Sequence, residues 1–285
     1  MTYSISGYTR LVGLLGKPAR HSRSPQMHNT AFQHLGLDFV YLSFEVDHDN
    51  LVDALNAMRT LDAAGFNLTM PNKQKVIPLL DEVSQEAMIL DAVNTVKIDN
   101  GRLTGYNTDG IGYVMSMKEE GIDVKGRKFV VIGAGGAARS IAVQLALDGV
   151  AEIALFNRSK EPAETLQKLI GEHIPGCRVS VFGLDMLLMK EQCRDADVLV
   201  NTTNVGLGQD ADQSVVTDPD VFHPDLVVSD IIYSPLKTKL LQMAEDAGCK
   251  TINGLGMLIG QGALAFKIWT GVDMPADIVK AEIMK

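Results

Sequence analysis

The chain has 285 residues, 46% of them hydrophobic and 21% charged, so it can bury a large core and has enough length for two domains. A formal net charge of −9 argues against sequence-independent nucleic-acid binding, because a phosphate backbone is held mainly by lysine and arginine. The spacing of the three cysteines and six histidines matches neither a disulfide framework nor a metal site. No apolar run has the length of a signal peptide or a membrane span. We therefore expect a soluble cytoplasmic protein without a metal or a membrane partner.

Short apolar runs alternate with longer segments of helical periodicity from Phe39 onward, which is typical of a parallel α/β sheet. We expect strands in FVYLSFEV, GFNLT, KFVVIG, EIALFN, RVSVF, DVLVN, LVVSDII and TIN. Asp99, Asn100 and Gly101 tolerate positive φ and therefore predict a tight hairpin between VNTVKI and RLTGYN. The following segment, GIGYVMSMKEEG, is predicted to be a helix that leads from a first domain into a second.

Two serine-proline pairs, Ser24-Pro25 and Ser234-Pro235, predict helix starts, each with a capping hydroxyl and a proline in the first helical position. Near the first of these, the hydroxyls of Ser22 and Ser24 and the open N–H groups of a helix start could hold a carboxylate. The alternative is that Ser24 only caps the helix.

The segment NLTMPNKQ predicts a helix that begins at Pro71 and has Lys73 in its first turn. The positive end of the helix dipole disfavours a cation there, so Lys73 is a candidate for proton transfer or hydroxyl binding, with Lys75 as a bystander. The two arms of the predicted hairpin bring Asn94, Asn107 and Asp109 near the domain boundary. Asn107 to Asp109 could equally be a helix-start cluster in which Asp109 is a solvated cap.

The segment KFVVIGAGGAARSIAVQLALDG predicts a strand, a glycine-rich turn and a helix. Gly133, Gly135 and Ala138 occupy the three positions of the G-x-G-x-x-G/A fingerprint, in which the helix N-terminus binds a pyrophosphate. The alternative is a turn that merely joins the strand to the helix.

The strand EIALFN ends where an NAD enzyme usually carries an acidic residue for the ribose 2′-hydroxyl. This chain has a basic and polar segment there, Asn157-Arg158-Ser159-Lys160, which favours a 2′-phosphate and hence NADP. Glu161 weakens the case, and a solvated basic loop is the alternative.

These motifs resemble the shikimate dehydrogenase family over nearly the whole chain. They occur in the family's order as HSRSP, NLTMPNK, AVNT, NTDG, GAGGAA, FNRS, NTTNVG, DIIY and GLGMLIGQGALAF. Pro162, NTTNVGLG and the stretch around Trp269 look more like the quinate/shikimate dehydrogenase branch, whose members use NADP or NAD.

The resemblance implies an α/β fold of two domains, with a Rossmann-type NAD(P)-binding domain at residues 111–255 inserted into a substrate-binding domain at 1–110 that is completed by 256–285. It implies a catalytic pair, Lys73 and Asp109. It also implies a substrate-binding set of Ser22, Ser24, Thr69, Lys73, Asn94, Asp109, Tyr233 and Gln261. The cofactor-binding set comprises Gly133, Ala134, Gly135, Gly136, Ala137, Asn157, Arg158, Ser159, Lys160, Ile231 and Gly254.

The implied activity is the reversible NAD(P)-dependent oxidation of a small cyclic polyhydroxy carboxylic acid, shikimate or quinate, with NADP favoured and NAD as an alternative. Two other readings stay open. One is a non-catalytic sensor of shikimate-like metabolites, against which the presence of both Lys73 and Asp109 argues. The other is a dehydrogenase for an amino-substituted cyclic acid. The sequence leaves the oligomeric state open, because an apolar helix face could belong to the core or to the interface of a homodimer.

Overall fold

A computed structural model of the chain describes residues 5–285, which form two compact units. The described part of unit 1 covers residues 5–108 together with Ile259–Lys285, and unit 2 is Asp109–Leu258. Each unit contains one six-stranded sheet with helices, so the predicted α/β fold class is confirmed.

The sheet of unit 1 has the strand order β2-β1-β3-β5-β6-β4. Strand β1 pairs in parallel with β2 and β3, and β5 is antiparallel to both β3 and β6. The β5–β6 turn is the predicted hairpin, with positive φ at Asn100 (49°) and Gly101 (76°). The strands are β1 (Arg10–Gly16), β2 (Phe39–Glu45), β3 (Gly65–Leu68), β4 (Glu82–Val83), β5 (Thr95–Asp99) and β6 (Arg102–Tyr106).

The core of unit 1 combines an aliphatic cluster with an aromatic group. In the aromatic group, the ring of His28 stacks on that of Tyr41 with 4.6 Å between centroids, and it meets the ring of Trp269 edge to face with 5.2 Å between centroids. The helices that belong wholly or mainly to this unit are α1 (Ser24–Leu35), α2 (Leu51–Thr60), α3 (Gln85–Leu90), α9 (Leu255–Thr270) and α10 (Ala276–Ile283).

The sheet of unit 2 is entirely parallel and has the order β12-β11-β10-β7-β8-β9. Numbered within the unit and read from β9, this is 3-2-1-4-5-6, the order of a dinucleotide-binding Rossmann sheet. The strands are β7 (Lys128–Ile132), β8 (Glu152–Phe156), β9 (Arg178–Phe182), β10 (Val198–Asn201), β11 (Val227–Asp230) and β12 (Lys250–Ile252), and the helices are α4 (Asp109–Glu119), α5 (Gly136–Leu147), α6 (Lys160–His173), α7 (Met186–Cys193) and α8 (Lys239–Asp246).

The helix start predicted at Ser24-Pro25 is confirmed, but its cap and two other predicted helix starts were wrong. Ser24 is the first residue of α1 rather than its cap, and its hydroxyl does not cap the helix. No helix follows Ser234-Pro235; α8 begins later, where the Thr238 hydroxyl accepts from Leu241 N. A serine-proline pair suits a turn as well as a helix start, which explains the error at Ser234-Pro235.

The third error concerns Lys73. Residues 70–76 form turns, followed by a short 3-10 helix at Ile77–Leu79, so Lys73 does not lie in the first turn of an α-helix. The argument from the helix dipole therefore does not apply to Lys73.

Candidate active site

The glycine-rich turn joins β7 to α5 in the conformation that the fingerprint requires. Gly133 has a φ of 116°, and an added Cβ would overlap the hydroxyl oxygen of Thr202. The Gly133 N–H donates to Phe156 O of the neighbouring strand at 2.8 Å. Both backbone angle and packing thus require glycine at this position.

Gly135 and Gly136 differ from Gly133 because nothing in the protein demands their small size. Gly135 precedes α5 with a φ of −81°, which any residue adopts, and Gly136 is the first helical residue. An added Cβ at either position meets no atom within 4 Å. The open space lies at the N-terminus of a twelve-residue helix, where N–H groups and the dipole favour an anion. The residues present therefore fit a bound pyrophosphate.

The basic segment follows β8, the strand next to β7. Asn157 Nδ2 donates to Ser159 O at 2.7 Å and closes the turn, while Arg158, Ser159 and Lys160 are exposed. Ser159 precedes α6 but makes no side-chain cap, so its hydroxyl is not committed to the helix. A guanidinium, a hydroxyl and an ammonium are thus presented together, as binding of a phosphate requires.

Two residues expected on the other side of the cofactor, Ile231 and Gly254, lie against each other. An added Cβ on Gly254 would overlap Ile231 O, and Gly254 N donates to Ile232 O at 3.0 Å. Tyr233 follows in the same segment after β11 and is partly buried.

A buried network of polar side chains crosses unit 1. Tyr41 Oη donates to Asn67 Oδ1 at 2.8 Å, and Asn67 Nδ2 donates to Asn94 O and to Thr95 Oγ1. Asn94 continues the network to Thr108, whose backbone N–H donates to Asn94 Oδ1 at 2.9 Å. Burial raises the pKa of Tyr41, which keeps the phenol protonated as a donor.

The two serines join this network at one end. Ser24 N donates to Ser22 Oγ at 3.1 Å, and a hydrogen bond between Ser24 and Tyr41 partly opposes the effect of burial on the Tyr41 pKa. Ser24 and Asn94, which the sequence assigned to one site, are therefore connected through Tyr41 and Asn67.

The turn that carries Lys73 is fixed by its neighbours. Lys73 O accepts from Val93 N at 2.8 Å, and the buried Asn72 holds the turn through Nδ2, which donates to Val46 O at 2.8 Å. Asn72 N also donates to Thr69 O at 2.9 Å, so Thr69 and Lys73 share one turn. The partly buried Lys73 side chain thus extends from a rigid backbone.

The remaining candidates lie in helices or, for Asn107, just before one. Asp109 is the first residue of α4, where the helix dipole stabilises a carboxylate, and Gly110 beside it packs so closely that an added Cβ would overlap Ser140 O. Asn107 is buried and donates to Ala92 O at 3.0 Å. Gln261 is partly buried in α9.

The sequence interpretation did not single out Tyr41, Asn67 or Thr108, although each is part of the network. The available signal was Asn67, a polar residue inside the otherwise apolar strand GFNLT. A buried amide needs partners, so its presence there predicts a polar network.

Within residues 5–285, no group of three or more His, Cys, Asp or Glu side chains is arranged to hold a metal ion. In the same range, no helix is both long enough and apolar enough to cross a membrane.

Three protein-family models match the chain. They are the shikimate dehydrogenase substrate binding domain at residues 14–96, shikimate/quinate 5-dehydrogenase at 116–206 and the shikimate 5'-dehydrogenase C-terminal domain at 254–284. A relative from Alkaliphilus metalliredigens, named shikimate dehydrogenase (NADP(+)), is 59% identical over 100% of this chain and 99% of its own length.

Solved structures agree with these matches. Shikimate 5-dehydrogenase from Listeria monocytogenes, in complex with shikimate and NAD, is 43% identical with a TM-score of 0.96 and covers 100% of this chain and 99% of its own. Quinate dehydrogenase from Corynebacterium glutamicum, in complex with NAD, is 32% identical with a TM-score of 0.89 and covers 97% and 99%.

Proposed function

The chain belongs to the shikimate dehydrogenase family, and we propose that it catalyses the reversible NADP-dependent oxidation of shikimate to 3-dehydroshikimate. The observation that carries the proposal is 59% identity, over the full chain, to a relative named for NADP-dependent shikimate oxidation. Quinate is the second candidate substrate, because a quinate dehydrogenase shares the fold over 97% of this chain.

In this proposal unit 2 binds the cofactor. The open N-terminus of α5 at Gly133–Ala137 holds the pyrophosphate, and the exposed segment Asn157–Lys160 holds the 2′-phosphate. Ile231 and Gly254 lie beside the nicotinamide. The presence of a basic segment, where an NAD enzyme has a carboxylate, supports NADP over NAD.

Unit 1 supplies most of the proposed substrate contacts. Ser22 and Ser24 bind the carboxylate, while Thr69, Asn94, Gln261 and Tyr233 of unit 2 contact ring hydroxyls or neighbouring atoms. The network behind Ser24 and Asn94 supports this role, because side chains that are held by several hydrogen bonds meet a ligand without a large loss of rotamer freedom.

Lys73 and Asp109 form the proposed catalytic pair, which takes up the proton of the reacting hydroxyl during oxidation and returns it during reduction. When bound, NADP supplies the hydride acceptor. The rigid turn around Lys73 supports its role, since proton transfer requires that its amino group be held within hydrogen-bond reach of the reacting oxygen.

The test is Lys73→Ala, with Lys75→Ala as a matched control, because Lys75 lies exposed in the same turn. We expect the kcat of shikimate oxidation to fall at least about a hundredfold in Lys73→Ala, the usual contribution of a positioned acid or base. The Kd for NADP should stay within about twofold of wild type, and Lys75→Ala should retain its rate. Weakened cofactor binding with unchanged kcat in Lys73→Ala would rule out the proposed role.

A further inference from the structure

A buried carboxylate, Asp230, lies at the carboxyl end of β11 and is 0% exposed. It accepts three hydrogen bonds, from Asn201 Nδ2 at 3.1 Å, Ile232 N at 3.1 Å and Thr238 Oγ1 at 2.8 Å. Burial raises its pKa, and these three donors act in the opposite direction. A buried carboxylate costs free energy unless hydrogen-bond donors offset its loss of water, and here three donors from the protein do so.

Each donor belongs to a different segment of unit 2. Asn201 ends β10 and holds the loop after it, because its Oδ1 accepts from Thr203 N at 3.0 Å and its Nδ2 also donates to Val205 O at 3.3 Å. Thr238 caps α8, and Ile232 lies in the segment after β11. Asp230 therefore ties two loops and a helix start to one point.

The strand order of unit 2 indicates which part of the cofactor would lie beside the loops after Asn201 and Asp230. A Rossmann sheet consists of two halves, each of which binds one mononucleotide at the carboxyl ends of its strands. Strands β7, β8 and β9 form the half that carries the glycine-rich turn and the basic segment, so they take the adenosine part. Strands β10, β11 and β12 form the other half, and Asn201 and Asp230 are the last residues of two of them.

We propose that Asp230 is a positioning residue for the nicotinamide half of the cofactor. It holds Ile231 to Tyr233 and the loop after Asn201 in the arrangement that receives the ring, without itself touching the ring. This role rests on the proposed function, since it presupposes that unit 2 binds NADP.

The test compares wild type with Asp230→Asn, which keeps the side-chain volume. The amide oxygen of the variant can accept on one side only. If it faces Thr238, the hydrogen bonds from Ile232 N and Asn201 Nδ2 are both lost; if it faces Ile232 and Asn201, the NH2 group meets the Thr238 hydroxyl, which can then no longer donate to residue 230. Calorimetry would measure the Kd of NADP and of 2′-phospho-ADP-ribose, which lacks the nicotinamide, and steady-state assays would measure kcat.

We expect the kcat of shikimate oxidation to fall about tenfold and the Kd of NADP to rise, while the Kd of 2′-phospho-ADP-ribose stays within about twofold. Asn201→Ser should show the same selective pattern, and it decides the question if Asp230→Asn does not fold. As a control, Asp185→Asn changes an exposed capping aspartate of α7 and should leave both Kd values unchanged.

An equal rise in the Kd of NADP and of 2′-phospho-ADP-ribose would overturn the proposal in favour of a purely structural role. Unchanged kcat and unchanged NADP affinity in both Asp230→Asn and Asn201→Ser would also overturn it. A wild-type protein that binds NADP but does not oxidise shikimate would refute the proposed function alone. In that case the ratio of the two Kd values would still test Asp230.

Discussion

Replacing Gly135 by alanine should weaken NADP binding while leaving the free energy of unfolding nearly unchanged. Gly135 has a φ of −81° and a ψ of −170°, which alanine adopts without strain, and the new methyl group meets no protein atom within 4 Å. Restricting the unfolded chain stabilises the variant by about 0.4–1 kcal/mol, and losing glycine before the helix costs a similar amount. The free energy of unfolding should therefore change by less than about 1 kcal/mol.

Cofactor binding should respond quite differently. The methyl group occupies the space in front of α5, where the pyrophosphate approaches the N–H groups. Loss of one hydrogen bond to a charged group costs about 1.5–3 kcal/mol, which corresponds to a roughly tenfold to hundredfold increase in the Kd of NADP. Titration calorimetry measures this Kd, and urea unfolding measures stability in the same preparation.

Gly171→Ala provides the matched control. Gly171 is exposed in α6 and an added Cβ also meets no atom within 4 Å, so the variant should gain about 0.5–1 kcal/mol and bind NADP as wild type does. If Gly135→Ala binds NADP with unchanged affinity, the pyrophosphate does not lie at the N-terminus of α5 and the placement of the cofactor is incorrect.

Two further predictions concern unit 1. Gly65→Ala should lower the free energy of unfolding in urea by about 2–5 kcal/mol, because the new Cβ would overlap both Trp269 Nε1 and Val96 O, which form a hydrogen bond with each other. A decrease below about 1 kcal/mol would contradict this packing. Burial lowers the pKa of His28 to about 3, so below pH 6.5 the unfolded chain takes up a proton that the folded chain does not, and stability falls as the pH drops. Between pH 7 and pH 5, the free energy of unfolding should therefore fall by about 2 kcal/mol less in His28→Phe than in wild type. An equal fall in both proteins would show that His28 is not buried as a neutral ring.

The sheet of unit 2 was predictable because its strands are buried on both faces and appear as continuous runs such as FVVI and IALF. The hairpin was predictable from Asn100 and Gly101, whose positive φ the turn requires. Strand β1 was missed. Its glycines lower β-propensity, and the reason for one of them is visible only in space, since a Cβ on Gly13 would lie 2.9 Å from Phe44 Cε2.

The candidate site was predictable where a residue type has one dominant use, as in the glycine fingerprint. It was not predictable for Asp230, whose importance comes from burial and from a partner that is distant in sequence, Asn201. Pro71 gave a wrong helix because proline suits a turn and a helix start equally well. Only the three-dimensional arrangement distinguishes these cases.

The measurement that tests the central claim most directly is the initial rate of nicotinamide reduction by the wild-type protein, with shikimate and quinate each paired with NADP and NAD. We predict turnover with the highest kcat/KM for shikimate and NADP. A higher kcat/KM for quinate with NAD would contradict both the substrate and the cofactor that we propose. Absence of turnover in all four pairings would contradict the claim that the chain is a shikimate or quinate dehydrogenase.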